Sequence, residues 1–310
     1  MKPVSAFTQL GTTARDCIAN GQRGKVLAVF SKAIYLLTET DELFWITAGD
    51  VPMHRRCAQV STPFDRLRTA PLPELLAGSR FHVQNHHLII DPDSLLEICD
   101  YPLWAAPRAD QILEITLLPP SVDSLFSHLD TPQAKGFGHF IPQIISLSKN
   151  ESPEPSSGFT DPILQFSHPL VLDAARVCLE HQPSRLPELA DKIIGLGAGL
   201  TPSGDDFLGG LSFAIHHLQN AYPALDFTNY RIPIESYRSR THPISFALLK
   251  DHASGHAIEP LHYILNGILI SESFENISPS VSQLTRIGHS TGWDLLTGML
   301  AGLLIATPSL

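Results

Sequence analysis

Charge is scarce in this sequence, and cysteine scarcer. Of 310 residues only 17% are Asp, Glu, Lys or Arg, which argues against a disordered tail, a coiled coil or the dense ion-pair surface of a thermophile. Bases are the rarer sign: 21 Lys and Arg against 31 Asp and Glu give a net charge of −10. Nucleic acid and anionic lipid are drawn by a clustered basic face, so neither is an expected partner, although a local basic pocket for a small anion stays compatible. The 4 cysteines, Cys17, Cys57, Cys99 and Cys178, form no CxxC pair and no zinc spacing, the usage of a reduced cytoplasmic chain. Long apolar runs are missing too. The longest, Leu295 to Ala306, is interrupted by Thr297 and falls well short of the roughly 20 residues of a membrane span; the first residues hold no apolar stretch of signal-peptide length. A soluble, cytoplasmic protein is the expectation. What the chain has is bulk: 43% hydrophobic residues and 20 glycines besides, enough for one large domain or two.

The first hundred or so residues read as β-rich. Short β-branched or aromatic runs at 25–30, 33–37, 43–47, 79–83 and 87–90 are spaced by turn residues, which predicts an antiparallel meander or small barrel. Asn85-His86-His87 stands where a tight turn would join the last two. The character changes between about Pro107 and Asp130, and Lys149–Gly158 is dense in Pro, Ser and charge, a loop signal. Downstream the period is helical. Ile163 to Val177 fits a helix broken or started near Pro169, and Phe207, Leu208, Leu211, Ala214, Ile215 and Leu218 make one helical stripe. Further helices fit 244–249, 260–270 and 294–306. The expected fold class is α+β: an N-terminal antiparallel β domain over 1–120, then a mostly α-helical domain over 121–310 with a loop near 149–160.

The most unusual segment is Gly195-Leu-Gly-Ala-Gly-Leu-Thr-Pro-Ser-Gly-Asp-Asp206. It fails as a dinucleotide fingerprint, because position 200 is Leu, and as a phosphate loop, because Asp205-Asp206 stands where Lys and a hydroxyl belong. Two carboxylates there reverse the local charge. Gly197, Gly199 and Gly204 still allow backbone N–H groups to turn toward a ligand, and Ser203 suits the N-cap of a following helix. Asp205 and Asp206 could simply complement the helix dipole, but two of them after alternating glycines, Thr201, Pro and Ser exceed what a cap requires. The segment suits a divalent metal bridging to an anion, or a substrate offering N–H or O–H donors beside an anionic group.

A second stretch, Gly288-His-Ser-Thr-Gly-Trp-Asp294, repeats the design. Ser203 to Gly210 and Thr291 to Gly298 share the pattern [ST]-G-x-D-x-L-x-G at an offset of 88 (294 − 206). We therefore expect two helix N-termini to converge, with Asp206 and Asp294 facing one pocket and Ser290, Thr291 and Gly292 beside them. His289 has the chemistry of a general acid or base, or of a structural hydrogen-bonding residue. Arg238, Arg240, Thr241 and Ser245 open a helix and could clamp an anion, or form a solvated turn. His252 and His256 lack the Glu of a zinc-protease helix, and no metal ligand set stands out. No serine-nucleophile elbow is present.

At these turns the sequence resembles the DUF2877 family of domains of unknown function, which includes the AllH-type subunit of oxamate carbamoyltransferase. The resemblance rests on Gly195–Gly210, on Thr241 with Ile244-Ser245, and on Gly288–Asp294; Gly24-Lys-Val-x-x-Val-Phe30 adds a weaker match. It implies a place in purine (allantoin) degradation, with a CoA-ligase-like protein and a further carbamoyltransferase subunit as partners. Together such subunits convert oxalurate and phosphate to oxamate and carbamoyl phosphate. No catalytic residue comes with the resemblance. In our reading Asp205, Asp206, Asp294 and His289 carry chemistry. Gly197, Gly199, Thr201, Ser203, Gly204, Arg238, Arg240, Thr241, Ser245, Ser290, Thr291 and Gly292 bind a carboxylate or carbamoyl substrate and phosphate. No cofactor is required by the sequence. Two alternatives stay open: a hydrolase using Mg²⁺ or Mn²⁺ on the three aspartates, and a noncatalytic assembly subunit.

Overall fold

A computed structural model describes residues 5–61, 76–90, 94–98, 101–109, 112–151 and 158–307. Cys99 and most of the loop expected at Lys149–Gly158 lie outside the described residues. The chain divides into two compact units, Met1–Ala106 and Pro107–Leu310.

The first unit is a barrel. Its strands are β1 (Ser5–Gly11), β2 (Arg23–Val29), β3 (Ala33–Thr38), β4 (Leu43–Ala48), β5 (Cys57–Val60), β6 (Arg80–Gln84), β7 (His87–Ile90), β8 (Ser94–Glu97) and β9 (Leu103–Trp104), with one helix among the described residues, α1 (Thr12–Cys17). Strand order is β5-β4-β3-β2-β6-β7-β8-β1-β9, and β5 also pairs with β1, which closes the sheet. Alternation drives it. Ile34 and Leu36 of β3, Phe81 and Val83 of β6, and Leu88 and Ile90 of β7 all point into one core. The β6–β7 turn is tight because Asn85 and His86 both take left-handed backbone, φ 50° and 61°, between the paired Gln84 and His87. That is the twist a two-residue hairpin needs. The barrel is not wholly antiparallel as expected. Strand β5 lies between β4 and β1, parallel to the first and antiparallel to the second, and β1 runs parallel to β8 and β9. Closure imposes this: after β4 the chain crosses over instead of turning back.

The second unit is helical: α2 (Leu118–His128), α3 (Ile141–Ser148), α4 (Pro162–Leu179), α5 (Leu186–Ile193), α6 (Ser203–Ala221), α7 (Pro243–Ala253), α8 (Glu259–Leu269), α9 (Phe274–Leu284) and α10 (Thr291–Leu303), with a 3₁₀ turn at Gly136–Phe140 ahead of α3. Helix α4 starts on an Asp161 cap, whose carboxylate accepts from the Ile163 amide at 2.8 Å, and runs straight through Pro169. The break expected there does not occur; the proline removes one ladder donor, which the packing of Val171, Leu172, Ala174, Ala175 and Val177 outweighs.

Helices α6 and α10 form the centre. The sequence showed a single stripe on α6, yet every residue from Gly204 to Ile215 is buried, as is every residue from Gly292 to Leu303 on α10. A helix buried all round is one enclosed by others. Two glycines let this pair approach to backbone contact. A Cβ on Gly210 would overlap the Leu295 carbonyl, and one on Gly298 would overlap the Phe207 carbonyl. Because Phe207 meets Gly298 and Leu211 meets Gly302, the helices run in the same direction. Both N-termini therefore end at one place.

Away from α10, α6 packs against buried histidines. The His217 ring lies 5.7 Å from that of His262, and His217 Nε2 is 3.2 Å from the Gly255 carbonyl. Burial pushes His217 and His252 down to about 4 and His262 to about 3. All three are held neutral, so proton uptake opposes folding. Their stabilising contribution is complete above about pH 6.5 and is lost as pH falls toward 4, at most about 3 kcal/mol for each of the first two. We expect the urea midpoint to drop steadily from pH 6.5 to pH 4.5; a midpoint flat across that window contradicts the burial of these rings.

Candidate functional site

The first glycine turn leaves α5 and enters α6. Gly195, Gly197 and Gly199 all adopt left-handed backbone, φ 77°, 115° and 96°, a path open to glycine at little cost. Within the turn the Leu196 amide bonds Ile193 and the Gly204 amide bonds Leu196, whereas the amides of Ala198, Gly199 and Leu200 find no partner among the described residues. Ala198 and Gly199 are exposed. These amides are free to meet a ligand.

Asp205 anchors that turn. Its Oδ1 accepts from the Gly195 amide at 2.6 Å, and its Oδ2 accepts from the Ser245 hydroxyl at 2.6 Å and from the Thr241 hydroxyl. Burial raises its pKa; the three donors oppose that rise. Both oxygens are thus engaged, and the side chain ties the turn to the start of α7. Replacing Thr241 by Val, or Ser245 by Ala, strips a donor from a buried carboxylate and is expected to cost about 1–3 kcal/mol. Chemical denaturation measures it, and an unchanged midpoint would show the clasp to be idle.

Asp206 and Asp294 occupy equivalent positions, each the fourth residue of its helix, and their surroundings are exchanged. Asp206 is held by the hydroxyls of Thr291 and Thr201, and Asp294 by those of Ser290 and Ser203. Each carboxyl therefore takes the hydroxyl that opens the opposite helix, Thr291 for Asp206 and Ser203 for Asp294. The hydroxyls also meet across the junction: Thr201 Oγ1 lies 3.1 Å from Thr291 Oγ1, and Ser203 Oγ 3.4 Å from Ser290 Oγ. The reciprocal contacts of Gly210 and Gly298 continue the same two-fold relation down the helices. The repeat seen in the sequence is a spatial one.

Both carboxyls are enclosed, Asp206 at 3% exposure and Asp294 at 0%, while the four hydroxyl residues are half-buried. A hydroxyl layer thus separates the acids from the outside, so they do not line an open pocket directly. Burial, and then the neighbouring Asp294, push Asp206 well above the usual carboxylate range, against the opposing hydroxyls. Burial alone raises Asp294, to about 6, while the Phe137 amide, bonding its Oδ1 at 2.6 Å, and the two serines hold it down. Of the two, Asp206 is the carboxyl whose surroundings favour the acid form more strongly. Asp206 Oδ2 and Asp294 Oδ2 are buried with no hydrogen-bond partner among the described residues, and buried oxygens left so are costly.

The other expected site residues divide. Arg240 is engaged by Asp191, through its side chain and at 2.6 Å through its carbonyl, and it also covers the Tyr237 ring; Arg238 lies over the Phe246 ring at 4.7 Å. His289 is exposed on the second turn. Gly292 packs on the Leu284 carbonyl, and Gly204 on that of Ile193, so both serve close backbone approach. His252 is buried against Gly209. Among the described residues no group of three or more His, Cys, Asp or Glu is placed to hold a metal.

Sequence reasoning missed the 3₁₀ turn. Gly136, at φ 53°, lies so close to Asp294 Oδ1 that a side chain there would overlap it, and the next amide makes the bond to that oxygen. The signal was Gly136-Phe-Gly138, too short to single out and 157 residues away from its partner.

No helix of the described residues is long and apolar enough to cross a membrane. No solved structure matches the chain. Residues 193–303, which span both turns and both central helices, match the family model described as oxamate carbamoyltransferase subunit AllH. By this segment, the one that builds the paired N-termini, the chain is similar to the AllH family.

Proposed function

We propose that the junction of α6 and α10 is the substrate site of an oxamate carbamoyltransferase-like system, and that the chain works there with further subunits in allantoin degradation. The substrates are small molecules that join a carbamoyl NH₂ to an anionic group: oxalurate, oxamate and carbamoyl phosphate. One observation carries the reading, the reciprocal burial of two carboxyls beneath four hydroxyls at two converging helix N-termini. The doubled N-terminal dipole and the unbonded turn amides suit the carboxylate or phosphate end and a developing oxyanion. The hydroxyls, oriented from below by the acids, suit the carbamoyl N–H groups.

The transfer balances with these groups. A phosphate oxygen bonds to the carbamoyl carbon of oxalurate, the bond from that carbon to the oxamate nitrogen breaks, and that nitrogen takes a proton. Asp206, whose burial favours the acid form, supplies that proton through the hydroxyls, and Asp294 takes up the proton that the phosphate gives up on bonding to carbon. The test is phosphate-dependent breakdown of oxalurate by the complex reconstituted with its CoA-ligase-like and further carbamoyltransferase subunits. Loss of that rate in Asp206→Asn supports the reading; an unchanged rate in both Asp206→Asn and Asp294→Asn removes it.

A Mg²⁺ or Mn²⁺ hydrolase is less well supported by the donor set, because Asp205 has both oxygens committed to Gly195, Thr241 and Ser245. Two carboxyls facing each other through hydroxyls make a poor octahedral set. Titration calorimetry with Mg²⁺ and EDTA-sensitive turnover would bring that reading back. A noncatalytic assembly role predicts co-purification with partners and no melting shift with oxalurate.

A further inference from the structure

The turns supply amides and hydroxyls but no unengaged cation, since Arg240 is taken by Asp191. Two cations stand close in sequence to the segments that touch Asp294. Lys135 immediately precedes Gly136, whose turn delivers the Phe137 amide to Asp294, and Arg286 lies two residues before Gly288 of the second turn. Both are exposed. Neither makes an ion pair with any described residue.

They line one cleft of about 500 Å³, together with Gly288 and Trp293, a volume suited to a small ligand. Trp293, next to Asp294 in the chain, is buried and packs against Gly138. Thr285, Ser278 and Ser282 add hydroxyls, His128 stands on the far rim, and Asp130 is the one carboxylate in the lining. Such a lining suits an anion: a guanidinium fork and an ammonium both favour oxygen acceptors, and hydroxyls add donors. In a chain of net charge −10, a local excess of positive charge is also what would concentrate an anion there.

We propose that this cleft is an anion subsite, taking a carboxylate or phosphate between Lys135 and Arg286 and presenting its bearer across Gly288 to the hydroxyls above Asp294. Its role in turnover rests on the function proposed above; the binding itself does not. Lys135 and Arg286 are binding residues here, and the anion they hold is chosen by charge and oxygen geometry.

Titration calorimetry on the full chain tests it, with sodium phosphate and oxalurate as separate probes, on wild type, Lys135→Ala, Arg286→Ala and Lys135→Arg. We expect at least one anion to bind, at least tenfold weaker binding in each alanine variant, near-restoration in Lys135→Arg, and weakening with added salt. Phosphate that displaces oxalurate places both on the shared subsite; oxalurate binding alone makes it a carboxylate subsite. Either supports the proposal. No binding of either anion at millimolar concentration overturns it, as does binding that both alanine variants retain. Because both residues are exposed, the variants should melt as wild type does. If Asp206→Asn keeps full turnover while the alanine variants lose anion binding, the function falls and the cleft stands. If Asp206→Asn abolishes turnover while the alanine variants bind normally, the reverse holds.

Discussion

Asp206→Asn, and separately Asp294→Asn, should lower phosphate-dependent oxalurate breakdown at least about a hundredfold, the scale on which a positioned acid–base group contributes, while the fold becomes no less stable at pH 7. The two effects come from the same burial. Burial favours the acid form of Asp206, the form that Asn imitates in shape and in neutrality. Asp294 is raised to about 6 and is therefore ionised at pH 7 at a cost. Its folded value lies above its unfolded one, so its stabilising contribution is complete below about pH 4 and is lost as pH rises through about 6. That loss is at most about 3 kcal/mol. Asn at 294 can still accept from the Phe137 amide and carries no charge to desolvate. The variant should gain stability at neutral pH and lose the slope between pH 4 and pH 6, superimposed on the opposite slope of the histidines. Activity lost with stability gained is the mark of a site; activity and stability lost together would make the pair a structural clasp. Melting curves at pH 4.5 and pH 7, beside the turnover assay, separate these outcomes.

Gly298→Ala should be among the most destabilising small substitutions in the helical unit. Its Cβ would fall on the Phe207 carbonyl, a backbone atom in the second turn of α6 that cannot rotate away. Relief requires α6 and α10 to separate along a contact where both are buried on every side. Overpacking that moves backbone costs about 1–3 kcal/mol and sometimes more, and here the reciprocal contact of Gly210 with Leu295 would open as well. We expect a loss of about 3 kcal/mol or more, with the Thr201–Thr291 and Ser203–Ser290 pairs pulled apart and turnover lost. Ala at Gly199, where a Cβ meets nothing within 4 Å, is the contrast. Its φ of 96° makes it costly by backbone strain alone, without disturbing the helix pair. Equal destabilisation by the two would show that approach distance is not what Gly298 provides.

How far the chain could be read from its residues follows from where the information lies. The strands at 33–37 and 87–90 were legible because Ile34, Leu36, Leu88 and Ile90 alternate within a few residues. Strands β1, β5, β8 and β9 were not read: β5, β8 and β9 are short, and barrel closure across long sequence distances pairs β1 with all three. Helices α2, α3 and α5 open on Pro119, Pro120, Pro142 and Pro187, which a first turn tolerates, while Pro279 stands inside α9 and interrupts its reading as a helix. In the site, the repeat from Ser203 and Thr291 showed that two N-termini should meet, because each copy placed its acid and its close-packing glycine on matched turns. It did not show that the acids lie beneath a hydroxyl layer, nor that Asp205 faces away from its neighbour to hold Gly195. Adjacent helical residues point about 100° apart, so Asp205 and Asp206 could not share a role, and tertiary partners decided which was which. Lys135 and Gly136 lay beyond local reading, since only folding brings them to Asp294.

The account depends on Asp206 and Asp294 forming one coupled, enclosed pair that a substrate perturbs. Carbon-13 NMR of the aspartate carboxyls, followed through a pH titration with and without oxalurate, addresses this directly. The structure predicts one carboxyl titrating near 6 that disappears in Asp294→Asn and a second that stays protonated far above the usual range and disappears in Asp206→Asn, both shifting when oxalurate is added. Two carboxyls that titrate independently near 4 and do not respond to the ligand would contradict it.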